Sequence, residues 1–216
     1  LMVYLLIFIF GLIIGSFLNV CIYRTPRNES IICPGSRCTS CKKPIPWYDN
    51  IPLASYLMLR GRCRVCHEKI SFRYFAVELI SAVSFLILYM NFGLNYIFWI
   101  YSLLTFSLIV VTFIDLEFQI IPDRISLVGI FVGIILSVSF PGLQSAFTWK
   151  RAFLNSIIGA LAGGGLIYLT GVLGQLAFKK ESMGGGDVKL LAMLGAFLGW
   201  KMVILIFFLA PFFGAP

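Results

Sequence analysis

Apolar runs about long enough to cross a lipid bilayer follow one another along nearly the whole chain. They cover Leu1 to about Tyr23, Tyr74 to Met90, Tyr96 to Ile114, Ile125 to Phe140 and Phe153 to Phe178, and a last run starts near Val188. About 20 apolar residues suffice for one helical crossing, and fewer do where the membrane thins. The residues are 60% hydrophobic and 12% charged. Soluble domains run near half apolar and about a quarter charged, so a soluble globule of this size lacks polar surface here. The expected class is an all-α polytopic membrane protein, a helical bundle of about six or more transmembrane helices. No basic segment precedes the opening run, which reads as a retained helix. Lys201 divides the last run: either it snorkels at an interface or two short helices meet there. No internal repeat is expected, and the glycines of "GALAGGGLIYLTGVLG" are expected to let helices approach closely.

The net charge is +8, and ten of the seventeen basic residues lie between Arg24 and Arg73. No aromatic interleaving or helical basic stripe accompanies them, so nucleic acid is not an expected partner. Positive charge collects on the cytoplasmic side of membrane proteins, which places this loop there and the lipid bilayer beside it. Counting crossings from it puts the segments around Asp115–Arg124 and Lys179–Asp187 on the same face. Lys150 and Arg151 then fall outside and dissent. The expected organisation is a first transmembrane helix over 1–23, a cytoplasmic four-cysteine loop over 24–73, and a transmembrane core over 74–216.

Inside that loop, "CTSC" at 38–41 and "CRVC" at 63–66 form two Cys-x-x-Cys pairs 21 residues apart. Each pair can present two thiolates from one tight turn, and two turns make the tetrahedral four-sulfur cage of a structural Zn²⁺. Cys38, Cys41, Cys63 and Cys66 are the expected ligands. Arg37, Lys42, Arg62 and Arg64 flank them and offset the cage's negative charge. A redox dithiol pair and unliganded cysteines are the competing readings. His67 follows Cys66 and reads as a solvated loop histidine, since four cysteines complete the set; Cys21 and Cys33 read as free thiols.

Two carboxylates stand where they are costly. Asp115 ends the apolar run "LIVVTFID", and Asp187 follows Gly184, Gly185 and Gly186 at the start of the last run. An acid at bilayer depth needs a partner, water or a proton. Two of them at one face, close across a wet cleft, share a single proton, which is the electrostatic logic of an aspartic protease dyad. The glycines would let an extended peptide approach and permit irregular backbone lining a cavity. By itself "GGGD" also fits a flexible loop and an N-cap aspartate. Asp123 reads as a helix-start residue, Glu117 as interfacial, and Glu78 as a buried acid that either pairs with Arg73 or lines the cleft.

Taken in order, "GLIIGSFLNVCIYR", the cysteine loop, "DLEFQIIPD" and "MGGGDVKLLAMLGAFLG" resemble the type IV prepilin peptidases, aspartic proteases of the GxGD class. The resemblance covers nearly the whole chain, and family members continue for further helices. It implies cleavage of the basic leader of type IV prepilins or type II secretion pseudopilins at the cytoplasmic face of the bacterial inner membrane. Asp115 and Asp187 would be the catalytic pair, with Gly184 and Gly186 the fixed glycines. Many members then methylate the new N-terminus with S-adenosylmethionine, an activity tied to the cysteine loop, and both activities are expected here by resemblance. Asp49, Glu117, Asp123 and Glu181 are candidate guides for the basic leader. The alternatives are an ion- or proton-coupled transporter using the intramembrane aspartates, and a non-enzymatic pilus or secretion scaffold.

Overall fold

The computed structural model describes residues 1–178 and 184–214, and the chain divides into two compact units, Leu1–Gln119 and Ile120–Pro216. Among the described residues the regular structure is helical. Helices α1 (Met2–Arg24), α3 (Phe72–Phe92) and α4 (Tyr96–Phe118) belong to the first unit, with a short α2 (Ala54–Met58) in the loop between α1 and α3. The second unit holds α5 (Asp123–Ser139), α6 (Trp149–Phe178) and α7 (Gly185–Gly214). By length and composition five of these (α1, α3, α4, α6 and α7, the last counted across an internal break) are long and apolar enough to cross a membrane, whereas α5 has 17 residues. The protein is a multi-pass membrane protein.

Sequence punctuation sets the helix ends in the first unit. Pro26 follows α1 in a 3₁₀ turn, Thr25–Arg27, that ends on left-handed Asn28. Ser71 caps α3, accepting from Arg73 N–H, and Asn95 caps α4, accepting from Ile97 and Phe98 N–H. Left-handed Gln119 closes α4 by donating its N–H to the Asp115 carbonyl at 2.7 Å. Gly11 and Gly15 bring the backbone of α1 against α3. A Cβ on Gly15 would lie 2.7 Å from Glu78 Cα, and one on Gly11 2.7 Å from Ala82 Cα. This is small-xxx-small packing, which replaces hydrophobic drive between helices in lipid. Phe85 and Phe98, both fully buried with ring centroids 4.8 Å apart, join α3 to α4.

The second unit is organised around a break in α7. Gly199 has φ +77° and ψ 170°, so two helices meet there. That region of backbone space is open to glycine alone. A Cβ on Gly163 of α6 would press on the Leu191 carbonyl and lie 3.0 Å from a Val203 methyl. A straight helix would hold residues 191 and 203 about 18 Å apart, so the second arm of α7 folds back toward the first. The last apolar run is thus two short helices, and they join at Gly199 rather than at Lys201. The α6 glycines serve close packing as expected, with Gly159 against the Gly195 backbone and Gly163 against Leu191.

Backbone groups freed by such a break need partners away from water. Gln144, in the 3₁₀ turn Pro141–Gln144, donates its amide to the carbonyls of Ala196 and Phe197, each at 3.1 Å. Ser156 Oγ (2.7 Å) and Ser137 Oγ (3.1 Å) also donate to the Ala196 carbonyl. All three side chains are buried.

Candidate functional site

The four paired cysteines converge. The Sγ atoms of Cys38, Cys41, Cys63 and Cys66 all lie within 4.8 Å of one another, and Cys38 and Cys66 sulfurs are 3.8 Å apart. A tetrahedron with metal–sulfur bonds of about 2.3 Å has edges of about 3.8 Å, so the group is sized to hold one metal ion. Each pair sits on the same turn. Lys42 N–H donates to Cys38 O and His67 N–H to Cys63 O, both at 3.0 Å; Cys38 N–H donates to Lys43 O and Cys63 N–H to Glu68 O. Bridges join Arg37 to Pro44 and Arg62 to Lys69, and Lys42 and His67 occupy matching left-handed positions. The loop therefore contains a repeat of "RCxxCxxxI" offset by 25 residues, unnoticed in the sequence because only the cysteines and Arg, Ile ends match. His67 is the turn residue of its half, as Lys42 is of the other, and stands outside the cysteine group. Backbone N–H groups of Cys66 and Val65 hold the Cys63 thiol down to about 7. Against a lowering hydrogen bond from the Glu68 backbone, burial and the three neighbouring thiols push Cys66 up to about 11.

The loop is tied to its helices by polar contacts. Arg24, at the end of α1 and 8% exposed, donates to the carbonyls of Ser30 (2.8 Å), Pro34 (2.6 Å) and Gly35 (3.1 Å). Arg64 grips Asp49 through two hydrogen bonds of 2.7 and 2.6 Å, and the guanidinium keeps that carboxyl below its usual range. Tyr56 OH donates to the Ile70 carbonyl and packs on Phe75. Glu78 Oε2 accepts from the N–H of Leu53, a left-handed residue at the start of α2, at 2.8 Å. Between the loop and the ends of α1, α3 and α4 lies a cavity of about 990 Å³, with Ser16, Asn19, Glu78, Phe113, Leu116 and Glu117 on its helix side. That is room for a drug-sized molecule.

Both aspartates are exposed at helix ends. Asp115, in the first unit, lies in the last turn of α4. Asp187, in the second, lies in the first turn of α7, its N–H donating to Gly184 O at 3.2 Å. The three glycines differ in what surrounds them. A Cβ on Gly186 would sit 2.8 Å from Ile121 Cβ, one on Gly184 would face the Asp187 carboxylate at 3.5 Å, and one on Gly185 would meet open space.

Several of the charged residues near these helix ends and in the loop form ion pairs. Arg73 pairs with Glu117, not Glu78. Lys189 pairs with Asp123 at 2.7 Å, and the N-cap of α5 is Pro122, with Asp123 making no side-chain cap. Asp49 is held by Arg64. Three of the four candidate leader guides are thus ion-paired, and Glu181 lies outside the described residues, as do Lys179 and Lys180. The sequence reading missed Asn19 and Gln144 altogether. A polar residue inside an apolar run was the available signal for Asn19; Gln144 sits in a turn and gave none.

Residues 9–92 match the bacterial peptidase A24 N-terminal domain, and residues 102–216 match the type IV leader peptidase family. The prepilin leader peptidase/N-methyltransferase of Myxococcus xanthus (strain DK1622) is 39% identical over 214 residues, 97% of this chain and 60% of that protein. The proteins of the same name from Neisseria gonorrhoeae and Aeromonas hydrophila are 35% and 36% identical. They cover 95% and 97% of this chain, which spans 78% of each. No solved structure matches the chain.

Proposed function

The chain belongs to the type IV leader peptidase family, and on that premise we propose that it is a membrane aspartic endopeptidase removing the leader of type IV prepilins or pseudopilins. The observation that carries this reading is the placement of Asp115 and Asp187. Each is exposed at the end of an apolar helix, within the residues that match the family. In the proposed reaction the two carboxylates share one proton. The ionised one takes a proton from water, whose oxygen attacks the scissile carbonyl carbon while the protonated one donates to the carbonyl oxygen. The tetrahedral intermediate collapses, the C–N bond breaks, and the amine leaves with a proton returned by the pair. The site faces the cytoplasm at the inner membrane, where a leader ends and an apolar pilin helix begins. Gly184 and Gly185, without side chains and exposed, leave room for the peptide backbone beside Asp187.

The relatives' shared name supports a second activity, N-methylation of the new N-terminus. S-adenosylmethionine would supply an electrophilic methyl group, and the chain's part is to hold the amine before it. The cysteine group is proposed to hold Zn²⁺, whose all-thiolate closed shell is structural and folds the loop. Asp115→Asn and Asp187→Asn proteins test the protease reading in detergent with a purified prepilin. Each is expected to lose cleavage by about a thousandfold or more, since the two act as a unit. Substantial cleavage by either overturns the dyad.

A further inference from the structure

The cavity of the first unit contains groups that peptide cleavage does not use. Glu78 is 8% exposed and Asn19 3%, and both line its helix side. Among the described residues Glu78 has no ion-pair partner, Arg73 being bound to Glu117. Among the described residues it accepts from uncharged donors, the Leu53 N–H and the Ser16 hydroxyl. Asn19 donates Nδ2 to the Tyr74 carbonyl at 2.9 Å, while its buried Oδ1 has no partner. A buried carboxyl group without a counter-charge either keeps its proton or takes up a cation, and a buried orphan acceptor adds a cost of its own. One ligand answers both: a cation that carries N–H donors. A sulfonium would balance Glu78 but offer Asn19 nothing; an ammonium serves both.

Asn19 lies five residues before the end of α1 and Glu78 six after the start of α3, so both sit about 8–9 Å inside the loop-facing helix ends. Phe113, Leu116 and Glu117, which bracket Asp115 in sequence, line the same cavity.

We propose that this cavity binds the α-ammonium of the newly made peptide N-terminus, with Glu78 as counter-charge and Asn19 Oδ1 as acceptor, and so presents the methyl acceptor. The inference rests on the leader-peptidase reading above. The test uses the full chain in detergent and two peptides of mature pilin N-terminal sequence, one with a free α-amine and one N-acetylated. Wild-type protein is expected to prefer the free amine by about tenfold or more, the scale of a desolvated charge pair. Glu78→Gln keeps the shape and an acceptor for Leu53 N–H, and should bring the preference within about twofold at unchanged metal content. Asn19→Leu, read in parallel, should reduce the preference about threefold and decides the matter if E78Q loses its metal. Equal binding of the two peptides by wild type, or full preference in the variants, overturns the proposal. So does weakened S-adenosylmethionine binding by E78Q with the peptide preference intact, which would give the subsite to the methyl donor. Prepilin cleavage by the same wild-type preparation reads the underlying function separately. Cleavage without amine preference sinks only the inference, and preference without cleavage sinks only the protease reading.

Discussion

Replacing Gly199 by alanine probes the break in α7 and its Gln144 support together. The +77°, 170° backbone is glycine territory, and forcing alanine into it costs about 1–3 kcal/mol. The new Cβ would also collide with Gln144 Oε1 and displace the amide that donates to Ala196 and Phe197. Ala196 keeps Ser137 and Ser156 as donors, so the main loss is at Phe197, about 1–3 kcal/mol for an unmet buried carbonyl. G199A alone should therefore cost about 2–6 kcal/mol. Gln144→Ala loses the same hydrogen bonds at the outset, about 1–3 kcal/mol. In the double variant the collision has gone and those bonds are lost only once, so its cost should fall short of the sum by about 1–3 kcal/mol. Reversible unfolding in mixed micelles, followed by far-ultraviolet circular dichroism along an SDS titration, measures all three. Additive costs within about 0.5 kcal/mol, or a G199A protein as stable as wild type, would refute the account of the break.

Metal analysis of purified protein should find about one zinc per chain, and serine at Cys38, Cys41, Cys63 or Cys66 should each drop it below about half an equivalent. Gly15→Leu should prise α1 from α3 and destabilise by about 1–3 kcal/mol or more, whereas Gly165→Ala, with nothing within 4 Å of the new Cβ, should be neutral or gain up to about 1 kcal/mol; chemical unfolding separates the two. Gly186→Ala should lower thermal stability by pressing on Ile121, and an unchanged melting curve would contradict that contact. The Asp49 carboxyl is held below its ordinary range by Arg64, so its stabilisation is present above that range and is lost as pH falls through the lowered value. Proteolysis of the loop should accordingly be insensitive to Asp49→Asn only in strong acid, and more rapid in the variant at neutral pH.

The membrane class, six apolar helical segments and the cysteine group were all legible in the sequence. Helix length, apolar content and Cys-x-x-Cys spacing act within a few turns of chain, so one dimension carries them. The aspartates were legible as costly groups at the ends of apolar runs, and α4 and α7 do end and begin there. The fate of the other charges was not. Glu117 finds Arg73 44 residues away, and Asp123 finds Lys189 66 residues away; nothing local distinguishes such a partnered acid from a free one. In the sequence a junction at Lys201 was one of two readings of the last run, because charge is visible there and a backbone torsion is not. Only the tertiary structure put the break at Gly199, where Gln144, 52 residues from the carbonyl it meets, arrives to satisfy it. The sequence by itself determined which segments must leave water and which side chains can bind metal. Which buried polar groups find one another was decided by packing, because a hydrogen bond or ion pair between distant residues exists only after helices have set their distance and register.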